Sequence, residues 1–111
     1  MRLIGMTRTK FALMTSRRIS ADEAERWGLI NLCVNPEELE ETVEGLVKNL
    51  AKTPALSLRA IKKVLQQGAD APLPVALELE RKTYAWLRTT HDYVEGVNAF
   101  LEKRKPQFKG Q

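Results

Sequence analysis

Some side chains in this 111-residue chain have types and spacings that could do chemistry. Glu37 with Glu41, and Glu40 with Glu44, stand one helical turn apart, and paired carboxylates can share general acid–base work. These acids lie opposite an apolar stripe and in the N-terminal half of their helix, where the helix dipole favours negative charge, so they read as a solvated face. Cys33 would need a nearby base to act as a nucleophile, and the single histidine, His91, is distant in sequence with no motif around either residue. Cys33, between Leu32 and Val34, reads as a small core hydrophobe, and His91, beside the cap Thr90, as a structural or solvent-facing residue. Phe100 and Lys103 are three residues apart on a terminal helix, so a ring and an ammonium would adjoin on one face and could meet a flat ring bearing a phosphate. Phe100 also belongs to the stripe Tyr93, Val97 and Leu101, and cations in a last helical turn are expected from the dipole alone, so both readings stand.

Other chemistries lack their motifs. There is no H-x-x-x-H, no C-x-x-C, no glycine-rich phosphate loop and no G-x-S-x-G. The net charge of +4 is unevenly spread. Arg2, Arg8, Lys10, Arg17 and Arg18 are followed by an acidic stretch from Asp22 to Glu44, and Lys103, Arg104, Lys105 and Lys109 cluster late. No aromatic–basic interleaving accompanies them, so no nucleic-acid partner is expected. A hydrophobic content of 43% suits a modest core in one domain, no run approaches membrane-spanning length, and no secretory leader is visible. A soluble protein of the cytoplasm, or of an organelle matrix, is expected.

The elements that must position these residues are mainly helical. Phe11, Leu13 and Met14 lie in a helix that Thr15-Ser16 ends. Ser20 and Glu23 form a capping box, Gly28 stops that helix, and the apolar run Leu29–Val34 predicts one short strand. Asn35-Pro36 opens a helix with Leu39, Val43, Leu46, Val47 and Leu50 on one face, predicted to be docked. After Thr53-Pro54, Leu58, Ile61, Val64 and Leu65 mark another helix toward Gly68, followed by a loop to Pro74. A helix from about Val75 to Thr89 carries a wide apolar face with Leu79 and Trp86, broad enough for a second partner such as another subunit. Thr90 caps the last helix, and Pro106 bars its continuation. Trp27 and Trp86 read as core anchors or subunit contacts.

Three segments resemble one family. Arg2-Leu3-Ile4-Gly5 with Arg8-Thr9-Lys10, the run from Ser16 to Asn31, and Glu95-Gly96 through Phe100-Leu101-Glu102-Lys103-Arg104-Lys105-Pro106 to Phe108 are similar, in order and spacing, to segments of the crotonase superfamily, the enoyl-CoA hydratases and isomerases. The resemblance implies the helical C-terminal part of a crotonase-like (ClpP/crotonase) fold, residues 1–111 forming a single helical segment. It also implies that the N-terminal ββα catalytic core, with its oxyanion-hole amides and acids, lies upstream of Met1. No catalytic residue is then expected in this chain, which alone should be inert. The expected ligand is a CoA thioester, taken as substrate with no covalently bound cofactor and no metal. Phe100 and Lys103 correspond to positions that close over the CoA adenine and its ribose phosphate, with Arg104 and Lys105 as weaker candidates. A homo-oligomer, a trimer or dimer of trimers in the full enzyme, is implied. The competing reading is a non-catalytic helical interaction module that associates through the face carrying Leu79 and Trp86.

Overall fold

The computed structural model describes all 111 residues. Six α-helices follow in order: α1 (Gly5–Thr15), α2 (Ala21–Trp27), α3 (Leu39–Leu50), α4 (Ala55–Gly68), α5 (Leu73–Leu87) and α6 (His91–Leu101), with a 3₁₀ turn, Pro36–Glu38, before α3. No helix is long and apolar enough to cross a membrane. The chain divides into two compact units, Met1–Val43 and Glu44–Gln111.

In the first unit, α2 is delimited as its sequence requires. Ser20 Oγ accepts the Glu23 amide at 3.3 Å, and Gly28, at φ 74°, closes the other end with Gly28 N–H on Glu25 O and Leu29 N–H on Ala24 O. The capping box is only half made, because the Glu23 carboxylate pairs with Arg17 instead. Arg8 and Arg17 lie 5.6 and 5.7 Å from the Trp27 ring centre, and Arg17 is 5.4 Å from that of Phe11, so cation–π contacts tie α1 to α2. Trp27 is half-buried, a shared anchor for these two guanidinium groups.

The expected strand at Leu29–Val34 is absent. A strand needs a neighbour to take its backbone groups. Here Leu29 and Ile30 donate back to Ala24, while Cys33 N–H donates to Glu25 Oε1 at 3.0 Å, so the segment folds onto the end of α2. Cys33 is accordingly half-buried, not a core residue. Its sulfur is 3.8 Å from Asp22 Oδ1, and partial burial foremost, with Asp22 and Glu25 nearby, pushes the thiol pKa up, away from nucleophilic behaviour.

In the second unit, α4 packs along α5. The approach is close because the residues between them are small. Ala60 is 5% exposed, and a side chain at Gly68 would stand 3.4 Å from Ala76. α5 begins two residues earlier than predicted, since Pro74 falls in its first turn, where the missing amide has no partner to lose.

Little else is covered. Ala24, Ala60 and Ala99 are the buried apolar residues, while the α3 stripe predicted to be docked is exposed along its length, Leu39 at 55% and Val47 at 58%. The exposed Leu, Val and aromatic side chains are surface of the kind that partner structures cover.

Candidate functional site

Helix α6 and the segment after it carry the residues singled out by the sequence. Thr90 fixes the helix start, its Oγ1 accepting the Tyr93 amide at 3.2 Å and donating to Leu87 O at 2.7 Å. At the other end the chain turns sharply. Arg104 N–H reaches Ala99 O at 3.0 Å and Lys103 N–H reaches Phe100 O at 3.3 Å, the paired bonds that close a helix around a left-handed residue. That residue is Lys103, at φ 53°. A side chain there costs roughly 1–2 kcal/mol relative to right-handed backbone. Lys103 therefore lies beyond α6, which ends at Leu101, and the expectation that Phe100 and Lys103 share a helix face is corrected. The turn, not helical spacing, places the ammonium.

Two carboxylates one turn apart on α6 hold the segment that returns along it. Asp92, only 2% exposed, accepts Lys109 N–H at 2.7 Å on Oδ1 and Gly110 N–H at 2.8 Å on Oδ2, while its own amide donates to Gln111 O at 3.0 Å. Glu95 accepts Arg104 through both oxygens, Nη1 at 2.6 Å and Nη2 at 2.8 Å, and takes Gln107 N–H at 2.7 Å. The Lys109 and Gly110 amides, the former foremost, and the adjacent His91 hold the Asp92 carboxyl below its ordinary pKa. The Arg104 guanidinium, then the Gln107 amide, bring Glu95 down to about 2. Gly96 makes room for Phe108, whose ring would stand 3.6 Å from any Cβ there.

Beside this clasp runs an apolar groove of about 400 Å³, lined by Tyr84, Leu87, Tyr93, Val97, Phe100 and Phe108 among others. Tyr84 and Tyr93 meet edge to face at 6.3 Å with their hydroxyls 3.4 Å apart. Phe100 is 83% exposed, so its ring is available for stacking and is not plain core. Lys103 and Lys105 are exposed with unpaired ammonium groups, whereas Arg104 is held by Glu95 and by Glu102 at 2.5 Å. The groove can take a flat or apolar group, and Lys103 can meet an anion.

The other sequence candidates are not brought together. Glu37, Glu38, Glu40, Glu41 and Glu44 are exposed, Glu44 pairing with Lys48 at 2.8 Å. His91 is half exposed, its Nδ1 3.5 Å from Asp92 Oδ1. Trp86 is 51% exposed, on the α4–α5 surface with Arg59, Lys63 and Lys82. No group of His, Cys, Asp and Glu side chains is arranged to hold a metal ion. Sequence reasoning missed Asp92, placed Tyr84 and Tyr93 only on apolar helix faces, and treated Glu95 and Phe108 only as parts of a pattern. Acids at the first and second turns of α6, three residues apart, were the available signal for a clasp.

The family profile for Enoyl-CoA hydratase/isomerase matches residues 1–111. The chain is 36% identical over 110 residues to the 1,2-epoxyphenylacetyl-CoA isomerase of Escherichia coli, covering 99% of this chain and 42% of that protein. It is 37% identical over 99 residues to the short-chain-enoyl-CoA hydratase of Clostridioides difficile, covering 89% of this chain and 64% of that one. The crystal structure of enoyl-CoA hydratase from Bacillus anthracis superposes with a TM-score of 0.95 at 36% identity, over 99% of this chain and 43% of that chain. This chain thus spans less than two thirds of the length of each of these relatives. With the profile matched along all 111 residues and the backbone superposing on a solved enoyl-CoA hydratase, the protein belongs to the enoyl-CoA hydratase/isomerase family of the crotonase superfamily.

Proposed function

We propose that this chain is the C-terminal acyl-CoA-binding and oligomerisation part of an enoyl-CoA hydratase/isomerase-like enzyme. The carrying observation is the open aromatic face of Phe100 beside an apolar groove, with the unpaired Lys103 ammonium at the turn that follows it. Phe100 stacks on the CoA adenine and Lys103 meets the ribose phosphate, with Lys105 as a secondary cation. Arg104 is the weakest candidate, because its guanidinium is already engaged. The oxyanion-hole amides and proton-moving acids of a complete enzyme, which would hydrate or isomerise an enoyl thioester in the cytoplasm, belong to residues outside this chain. The uncovered apolar surface favours subunit or domain contacts, consistent with a trimer or dimer of trimers for the whole enzyme.

Incubating the chain with crotonyl-CoA and following the enoyl-thioester absorbance tests the catalytic half of this reading. No turnover above buffer is expected, and appreciable hydration by the pure chain would overturn it. The same exposed surface also supports a second reading, a non-catalytic helical interaction module. Light scattering together with CoA titration separates the two: self-association without CoA binding favours the module.

A further inference from the structure

Resting on the acyl-CoA reading above, we propose that Glu95 is a positioning residue for that ligand, holding Lys103 in its left-handed turn so that the ammonium faces the bound phosphate. The geometry is specific. Lys103 occupies the position after a helix where glycine would be unstrained, and its side chain has no partner within the chain. Strain of this kind persists where surrounding bonds over-determine it and is concentrated at functional positions. The over-determination comes from Glu95. One carboxylate takes the Arg104 guanidinium at 2.6 and 2.8 Å and the Gln107 amide at 2.7 Å, gripping the chain just after Lys103 and again four residues after it. Glu102 holds Arg104 from the other side. Arg104 is thereby committed to the fold, and of the unpaired cations Lys103 and Lys105, Lys103 is the one that stands in the turn Glu95 braces.

The test measures binding of CoA and of dephospho-CoA, which lacks the ribose phosphate, to the whole chain by titration calorimetry. The variants are Lys103→Gly, Glu95→Ala and Glu95→Gln, each checked for helix content and melting temperature. The unsubstituted chain should prefer CoA by about tenfold, the effect of one charge-assisted contact. Lys103→Gly should erase the preference while melting a few degrees higher, because strain is relieved as the ammonium is lost. Glu95→Ala should cut the preference to about twofold or less, with Glu95→Gln between it and the unsubstituted chain. If Glu95→Ala does not fold, Glu95→Gln decides in the same direction. Absence of saturable binding, or of any preference for CoA in the unsubstituted chain, overturns the ligand reading itself. A preference lost in Lys103→Gly yet intact in the folded Glu95 variants overturns the positioning role alone, and a Lys103→Gly chain no more stable than the original overturns the claim of strain.

Discussion

Helices α2 and α6 are built on one plan and differ at a single kind of residue. Each starts on a hydroxyl cap, Ser20 or Thr90, and each ends in a left-handed residue closed by two backbone bonds. In each, a carboxylate on the helix then reaches past the turn to take a backbone amide of the returning chain, Glu25 for Cys33 and Glu95 for Gln107. At α2 the left-handed residue is Gly28, unstrained; at α6 it is Lys103, strained and held by an Arg104–Glu95 pair that α2 lacks. Glycine closes α2 without strain, and Ser16 takes the same left-handed backbone after α1, at φ 49°. At α6 the position carries a cation, and the acids of α6 hold the chain around it.

The largest way to break this comparison is to remove the clasp. Asp92→Ala leaves the Lys109 and Gly110 amides without their acceptor and should lower the melting temperature by on the order of 10 °C. Hydrogen exchange would show both amides losing protection, whereas Glu25→Ala, which frees only the Cys33 amide, should have a much smaller effect. An unchanged melting temperature in Asp92→Ala would show that the returning segment is held by Phe108 packing instead.

Acid should separate the two termini next. Asp92 and Glu95 have folded pKa values below their unfolded ones, so the stability they add is complete above about pH 4.5 and is lost as pH falls through their folded values, near 2 for Glu95. Amide signals of Gln107, Lys109 and Gly110 should shift and broaden over that window in NMR spectra. Those of Gly28 and Leu29, which bond to carbonyls, should not, and equal sensitivity at both turns would refute the distinction.

Smaller effects sharpen the contrast. Gly28→Lys imposes on α2 the residue that α6 tolerates, without a clamp, and should destabilise by about 1–2 kcal/mol in thermal melts. Smallest are the caps, where Ser20→Ala and Thr90→Ala should each cost about 1 kcal/mol, with Thr90 the larger because its half-buried hydroxyl makes two bonds. A neutral Thr90→Ala would show that the Asp92 clasp, not the cap, fixes the start of α6.

Much of this plan was legible in the residues. Ser20, Gly28, Pro36 and Thr90 mark boundaries through chemistry local to a few amino acids, and the backbone obeys them. The strand at Leu29–Val34 failed because an apolar run states only a preference for burial; whether it pairs depends on a neighbour, and the nearest acceptors were on α2. The α6 site was half legible. Phe100 is as open as a stacking residue must be, but Lys103 was assigned to a helix face because its spacing from Phe100 is helical. No local rule announces that a lysine will adopt a left-handed turn, since the preference opposes it.

By itself, then, the sequence determined both ends of α2 and the starts of the turn before α3 and of α6, which faces are apolar, and the family to which the chain belongs, because caps, periodicity and motif order are properties of neighbouring residues. Only the tertiary structure decided that Asp92 and Glu95 are acceptors for the returning segment, that Arg104 is spoken for while Lys103 is free, and that the α3 stripe stays uncovered within this chain. Those outcomes depend on which groups meet across many residues. In that competition a backbone amide near a buried carboxylate outweighs any single residue's conformational preference.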